Sequence, residues 1–159
     1  MNIQILCVGK IKEKYWLAAI GEYSKRLSRY CKLSILEVPD EKTPDRASKA
    51  LEEEIRKTEG DRLLGLIKKD AYIIALAIDG NELDSVGLSE KISKIAVDGN
   101  GTIQLIIGGS LGLSEEVLRA ADYKLSFSKM TFPHQLMRVI LLEQLYRSYR
   151  ILNHEPYHK

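Results

Sequence analysis

The run from Ala71 to Ile78, AYIIALAI, is apolar on both of its alternating sets. Successive residues of a strand point to opposite faces, so such a run needs cover on both sides, as a strand inside a parallel sheet has. It is also far too short to cross a bilayer as a helix, which takes about 20 apolar residues. Four other segments read as strands: residues 2–8, 32–38, 102–107 and 123–127, which are rich in β-branched and apolar side chains.

Helical patterns separate them. Between residues 14 and 30, Trp16, Leu17, Ile20, Tyr23 and Leu27 recur at three- and four-residue spacing, leaving Lys25, Arg26 and Arg29 on other faces. Thr43-Pro44-Asp45 places a proline where helices like to begin, and the pattern after it predicts a helix to about Lys68, interrupted by Gly60. Residues 85–97 form a third helix, and Ser114 caps a short fourth one whose first turn holds Glu115 and Glu116. A last helix runs from His134 to about Asn153. This alternation predicts an α/β fold, a mainly parallel sheet flanked by helices, in one domain over residues 1–159. The last helix is apolar around more than half its girth, so it is expected to pack on a partner subunit as well as on the sheet; burial as a central core helix is the other reading.

Charge is informative by location. The formal balance of +2 is too small to draw in polyanions by overall field. Residues 10–32 nevertheless carry seven bases against two acids, residues 129–159 five against two, and residues 37–61 nine acids against five bases. Lys10, Lys12, Lys14, Lys25, Arg26, Arg29 and Lys32 form either a solvated face or an RNA contact, with Trp16 and Tyr23 assigned to the core. Cys7 and Cys31 lack metal-ligand spacing and read as reduced thiols. No leader or membrane span is expected, which points to a soluble cytoplasmic protein.

Two loops are placed to carry chemistry. The stretch Ile107-Gly-Gly-Ser-Leu-Gly-Leu-Ser114 follows one strand and precedes a capped helix. It is either a tight turn or a wall where main chain approaches a nucleotide; it matches neither phosphate-binding glycine pattern, which weakens ATP and NAD readings. The second loop, residues 127–135, should lie beside it at the carboxyl ends of the strands. Leu76, Gly108 and residues 127–132 would then wall one pocket, with apolar side chains for an adenine ring and main-chain groups for its polar edge. Asp79 and Asp84 lie near that edge without a histidine partner, so a hydrolase reading is weak. All three histidines fall in the last 26 residues, and Pro156 between His154 and His158 prevents a helical metal pair, so no metal is expected. The tail Asn153-His-Glu-Pro-Tyr-His-Lys159 combines an aromatic ring, an imidazole and a cation, a set suited to an unpaired base and its phosphate.

With these residues in view, the chain resembles the ribosomal RNA large-subunit methyltransferase H family, pseudouridine N3-methyltransferases of the SPOUT class. The resemblance runs end to end and is most specific in IQILCVGKIK, IIGGSLG, FSKMTFPHQLMRVILLEQLYRSYRI and NHEPYHK. It implies a SPOUT-type fold with a C-terminal trefoil knot and S-adenosyl-L-methionine as cofactor. The family's cofactor-contact positions correspond to Leu76, Gly108, Phe127, Ser128, Lys129, Met130, Thr131 and Phe132. It also implies a homodimer acting on a pseudouridine in a hairpin loop of large-subunit rRNA on the assembled ribosome. Arg147, Tyr157, His158 and Lys159 match positions that engage RNA at the active site.

Chemistry agrees with that import. A uracil-type N3 must lose its proton to become a good nucleophile, which nominates His158 as base with His134 second. Arg147 or Lys159 would stabilise the developing anion, and Tyr157 completes the catalytic set. His134, Tyr157, His158 and Lys159 are the expected RNA contacts. Two competing functions use the same loops: a noncatalytic nucleotide-sensing or ribosome-associated binding protein, and a SPOUT methyltransferase acting on tRNA.

Overall fold

The computed structural model describes residues 1–159. Its elements are β1 (Asn2–Val8), α1 (Lys14–Leu27), β2 (Lys32–Val38), α2 (Lys49–Leu64), β3 (Tyr72–Glu82), α3 (Ser85–Val97), β4 (Thr102–Ile107), α4 (Glu115–Ala120), β5 (Tyr123–Ser126) and α5 (His134–Leu152). The strands form one sheet in the order β2-β1-β4-β3-β5, and every pairing is parallel. All carboxyl ends therefore share one edge, where ligands bind in open sheets of this kind.

The alternation of side chains across the pleat builds two cores. Ile3, Ile5, Cys7, Ile74, Ile103, Leu105 and Ile107 face α1, α3 and α5, whose Leu27, Leu88, Ile92, Ile95, Leu141, Leu142 and Leu145 complete the larger cluster. Leu6, Val8, Ile73 and Ile106 face α2 and α4 through Leu63 and Val117. The second face also buries Gln104, whose amide donates to Gln4 Oε1 at 2.9 Å and to the Leu66 carbonyl at 3.0 Å and accepts from the Lys68 amide at 2.9 Å. Every buried polar atom of that side chain is thus matched. Burial drives the Cys7 thiol up to about 12, so it is an inert core residue.

Several boundaries differ from expectation for identifiable reasons. The second helix starts at Lys49 rather than at Pro44, because the Ser48 side chain accepts the Leu51 amide at 3.1 Å and caps it. It runs through Gly60, which is buried and packed on Ser114. The first helix ends at Leu27, and Leu17 on it is 48% exposed rather than buried. Trp16 lies outside both cores and packs on Tyr15. β3 does not stop where the apolar run ends, at Ile78. It shifts register and continues to Glu82, with Asn81 opposite Leu125 and Glu82 opposite Ser126. A Cβ on Gly80 would lie 2.8 Å from the Lys124 backbone, so only glycine allows that approach. The most deeply buried strands are β1 and β4, whereas β3 is buried only over residues 73–75.

Candidate cofactor cleft and C-terminal tail

At the carboxyl edge the end of β3, the glycine loop and the segment after β5 enclose a cleft of about 700 Å³. Leu76, Gly108, Phe127, Ser128, Met130, Thr131 and Phe132 all line it, as expected. Lys129 sits between two lining residues but is exposed and is not one of the walls. Ala77, Ile78, Ile107, the rest of the glycine loop to Gly112, and Pro133, His134, Gln135 and Met137 complete the lining. His134 and Gln135 belong to the loop expected at this edge, although the expected walls stop at residue 132; Met137 extends the lining beyond that loop, and the helix start after Pro133 is the available signal for it.

The glycine loop is a tight turn and a wall at once. Gly112 has φ +82, its amide donates to the Gly109 carbonyl at 3.1 Å, and a Cβ on Gly108 would come within 2.7 Å of the Gly112 carbonyl carbon. Across the cleft, Ser126 Oγ donates to the Ser128 carbonyl at 3.1 Å and Ser128 Oγ accepts the Met130 amide at 3.0 Å, which folds the opposite wall back on itself.

The start of α5 is fastened to the sheet by Arg138. This side chain is 2% exposed, donates to Glu37 Oε2 at 2.6 Å and to the carbonyls of Gly9 at 2.6 Å and Val8 at 3.2 Å, and so ties the ends of β1 and β2 to the helix. One turn earlier, His134 lies against Gly9 with a buried, unpartnered Nδ1. Burial, reinforced by the Arg138 charge, pushes its imidazole below the usual range, with Asp40 and Glu13 opposing. His134 is therefore a neutral ring on the cleft wall at physiological pH.

Arg147, Tyr157 and His158 come together at the other end of the helix. Arg147 donates to Glu143 at 2.7 Å, lies 4.6 Å from the Tyr157 ring centroid, and approaches His158 Nδ1 at 3.4 Å. The Tyr157 hydroxyl donates to Glu143 at 3.1 Å, and its ring meets Tyr146 edge-on at 4.9 Å. The hydrogen bond to Glu143 raises the Arg147 guanidinium further, while burial and then the Glu143 charge raise the Tyr157 phenol. Glu155 pairs with Arg150 and accepts from Tyr30, which pins the tail beside the entry to β2. Lys159 is exposed and makes no ion pair or side-chain hydrogen bond. Within one chain the tail and the cleft are not adjacent: Arg147 lies thirteen positions beyond His134 on α5, a span of about 20 Å at about 1.5 Å per residue.

The basic residues near the amino end are partly engaged. Arg26 pairs with Glu22 at 2.9 Å and stacks over Tyr23 and Tyr146 at 5.4 and 5.6 Å. Asp84 caps α3 by accepting the Gly87 amide at 2.7 Å. No group of three or more His, Cys, Asp or Glu side chains is placed to hold a metal ion, and no helix is long and apolar enough to cross a membrane.

Comparison with known proteins matches this chain over nearly its whole length. The family model described as "Predicted SPOUT methyltransferase" covers residues 1–158. The chain is 61% identical over 159 residues to the ribosomal RNA large subunit methyltransferase H of Bifidobacterium adolescentis, covering 100% of both chains. It is 60% identical to the protein of that name from Clostridioides difficile and 59% identical to ribosomal RNA large subunit methyltransferase H 1 of Clostridium perfringens, again over 100% of each.

Proposed function

The chain belongs to the SPOUT methyltransferase family, and from that premise we propose that it methylates N3 of a pseudouridine in a hairpin loop of large-subunit ribosomal RNA, with S-adenosylmethionine as methyl donor. Residues 1–159 act as one domain in this reading. The observation that carries it is the single cleft formed where the end of β3, the glycine loop and the segment after β5 meet. At about 700 Å³ it suits a nucleoside-sized ligand, for which clefts of roughly 300–1,000 Å³ are usual. Leu76, Phe127, Met130 and Phe132 offer apolar cover for a purine, and Gly108 leaves bare main chain at the opposite wall. Bound S-adenosylmethionine supplies an electrophilic methyl group carried on a sulfonium sulfur. The family's trefoil knot belongs to the same reading.

The acceptor is the tail's concern. His158 takes the N3 proton, Arg147 and Lys159 balance the negative charge left on the imide, and Tyr157 offers a stacking face. Glu143 holds Arg147 and Tyr157 in one orientation through bonds of 2.7 and 3.1 Å. His134, neutral on the cleft wall, contacts RNA at the mouth. Holding the two reactants in register supplies much of the rate, since well-oriented intramolecular reactions gain about 7–11 kcal/mol.

A complete site takes the cleft of one copy and the tail of a second. The homodimer is supported by the half-buried residues Val139 and Ile140 of α5, which belong to neither core, and by Tyr15 and Leu17, 66% and 48% exposed, at the start of α1. Two copies with antiparallel α5 helices would bring each tail to the other's cleft. The test is methylation of ribosomes with labelled S-adenosylmethionine followed by mass-spectrometric mapping of nucleosides, with N3-methylpseudouridine as the expected product. Ribosomes left unlabelled at saturating cofactor overturn the reading. Mixing a Gly108→Val subunit with one lacking residues 157–159, each inactive alone, should restore turnover.

A further inference from the structure

Glu59 plays no part in the chemistry above, yet it is a carboxylate in the middle of α2 that is only 4% exposed. Its Oε2 accepts the Glu41 amide at 3.0 Å. Its two oxygens lie against Gly109, where a Cβ would come within 3.1 Å of Oε1, 3.3 Å of Oε2 and 3.2 Å of Val8 Cγ1. The next residue, Gly60, allows α2 so close to Ser114 that a Cβ would lie 2.2 Å from its hydroxyl oxygen. Two consecutive residues of α2 thus bear on the two ends of the glycine loop. Ser114 in turn caps α4 by accepting the Val117 amide. Behind Glu59, Arg62 donates to the Pro39 carbonyl at 2.8 Å and pairs with Glu41, so the loop after β2 is tied to the same helix.

A buried carboxylate is a costly way to fill space. Burial raises the Glu59 carboxyl above its usual range, the Glu41 amide opposes that, Asp40 and Glu41 add to it and Arg62 offsets it. An apolar side chain would pack there without that cost but could not accept the Glu41 amide. We propose that Glu59 is a positioning residue for the cofactor cleft: by packing its carboxylate under Gly109 while holding the Glu41 amide, it sets where the glycine loop stands and hence the shape of the wall that S-adenosylmethionine meets. The identity of the ligand rests on the methyltransferase reading, whereas the support of the loop rests on these contacts alone.

The experiment therefore has two readouts in the full-length protein: calorimetric affinity for S-adenosylmethionine, and amide hydrogen exchange without ligand. Glu59→Ala should weaken binding about tenfold, the scale of one lost hydrogen bond with its packing, and speed exchange at residues 108–113 while β1 and β4 exchange as before. Glu59→Gln, which keeps shape and acceptor, should restore both within about twofold. Unchanged loop exchange, acceleration spread equally over β1 and β4, or failure of the glutamine variant to rescue overturns the proposal. If the unsubstituted protein binds no S-adenosylmethionine while the loop still responds, the ligand assignment falls and the positioning role stands.

Discussion

The two ends of α5 are built on different principles. At its start, the cleft is shaped mainly by main chain: glycines that tolerate no side chain, a serine turn, and a buried arginine that ties helix to sheet. At its finish, beyond two main-chain bonds at His154 and Glu155, the tail is held by side chains, with Arg147, Glu143, Tyr157 and His158 in one polar cluster. A wall of backbone has few side-chain rotamers to rearrange. A cluster of partly exposed ion pairs can exchange its partners for those of an incoming base and phosphate at small cost. The contrast separates a container from a grip.

Changes at each end should accordingly separate binding from turnover. The largest effect is expected from Gly108→Val, whose Cβ would collide with the Gly112 backbone at 2.7 Å. S-adenosylmethionine affinity should fall by at least about 100-fold in calorimetry, with the circular dichroism spectrum preserved. Removing residues 157–159 should lower turnover on ribosomes by about 100-fold, the lower range for a positioned acid–base group, and leave cofactor affinity within about twofold. If both quantities fell together, the two ends would act as one site.

Smaller effects sharpen it. Glu143→Gln weakens the bonds to Arg147 and Tyr157, whose partners are 24% exposed for Arg147 and 20% for Glu143. Urea denaturation should register a loss of about 1 kcal/mol, with cofactor affinity unaffected. The smallest change is tied to pH. Because His134 binds a proton less readily folded than unfolded, acid favours the unfolded chain, and the protein loses stability as pH falls through 6.5, the group's unfolded value. His134→Gln should therefore lose less stability than the parent protein between about pH 7.5 and 5.5, measured as denaturation midpoints.

Much of the container was legible in the sequence because it depends on local signals. The two-sided apolar strand, the clustered glycines and the segment before Pro133 each mark the carboxyl edge, and parallel strands bring such ends together. What escaped depends on partners distant in sequence. Glu82 belongs to β3 only because Ser126 pairs with it, and Ser48 outcompetes Pro44 as a helix start through its bond to Leu51. Glu59 reads as one acid in an acidic helix; its burial follows from the docking of Gly60 on Ser114, fifty-four positions later. The separation of tail from cleft needed only the length of α5, since nineteen residues make a rod of about 28 Å.

That rod has a mechanical consequence. Inserting one residue between His134 and Arg147 would advance everything beyond it by about 1.5 Å and swing it by about 100° around the axis, turning the grip away from whatever it faces. Neither the core contacts of Leu141 and Leu145 nor the tyrosines around Tyr146 could be kept in place by such a rotation. α5 thus acts as a gauge whose length and phase are fixed together.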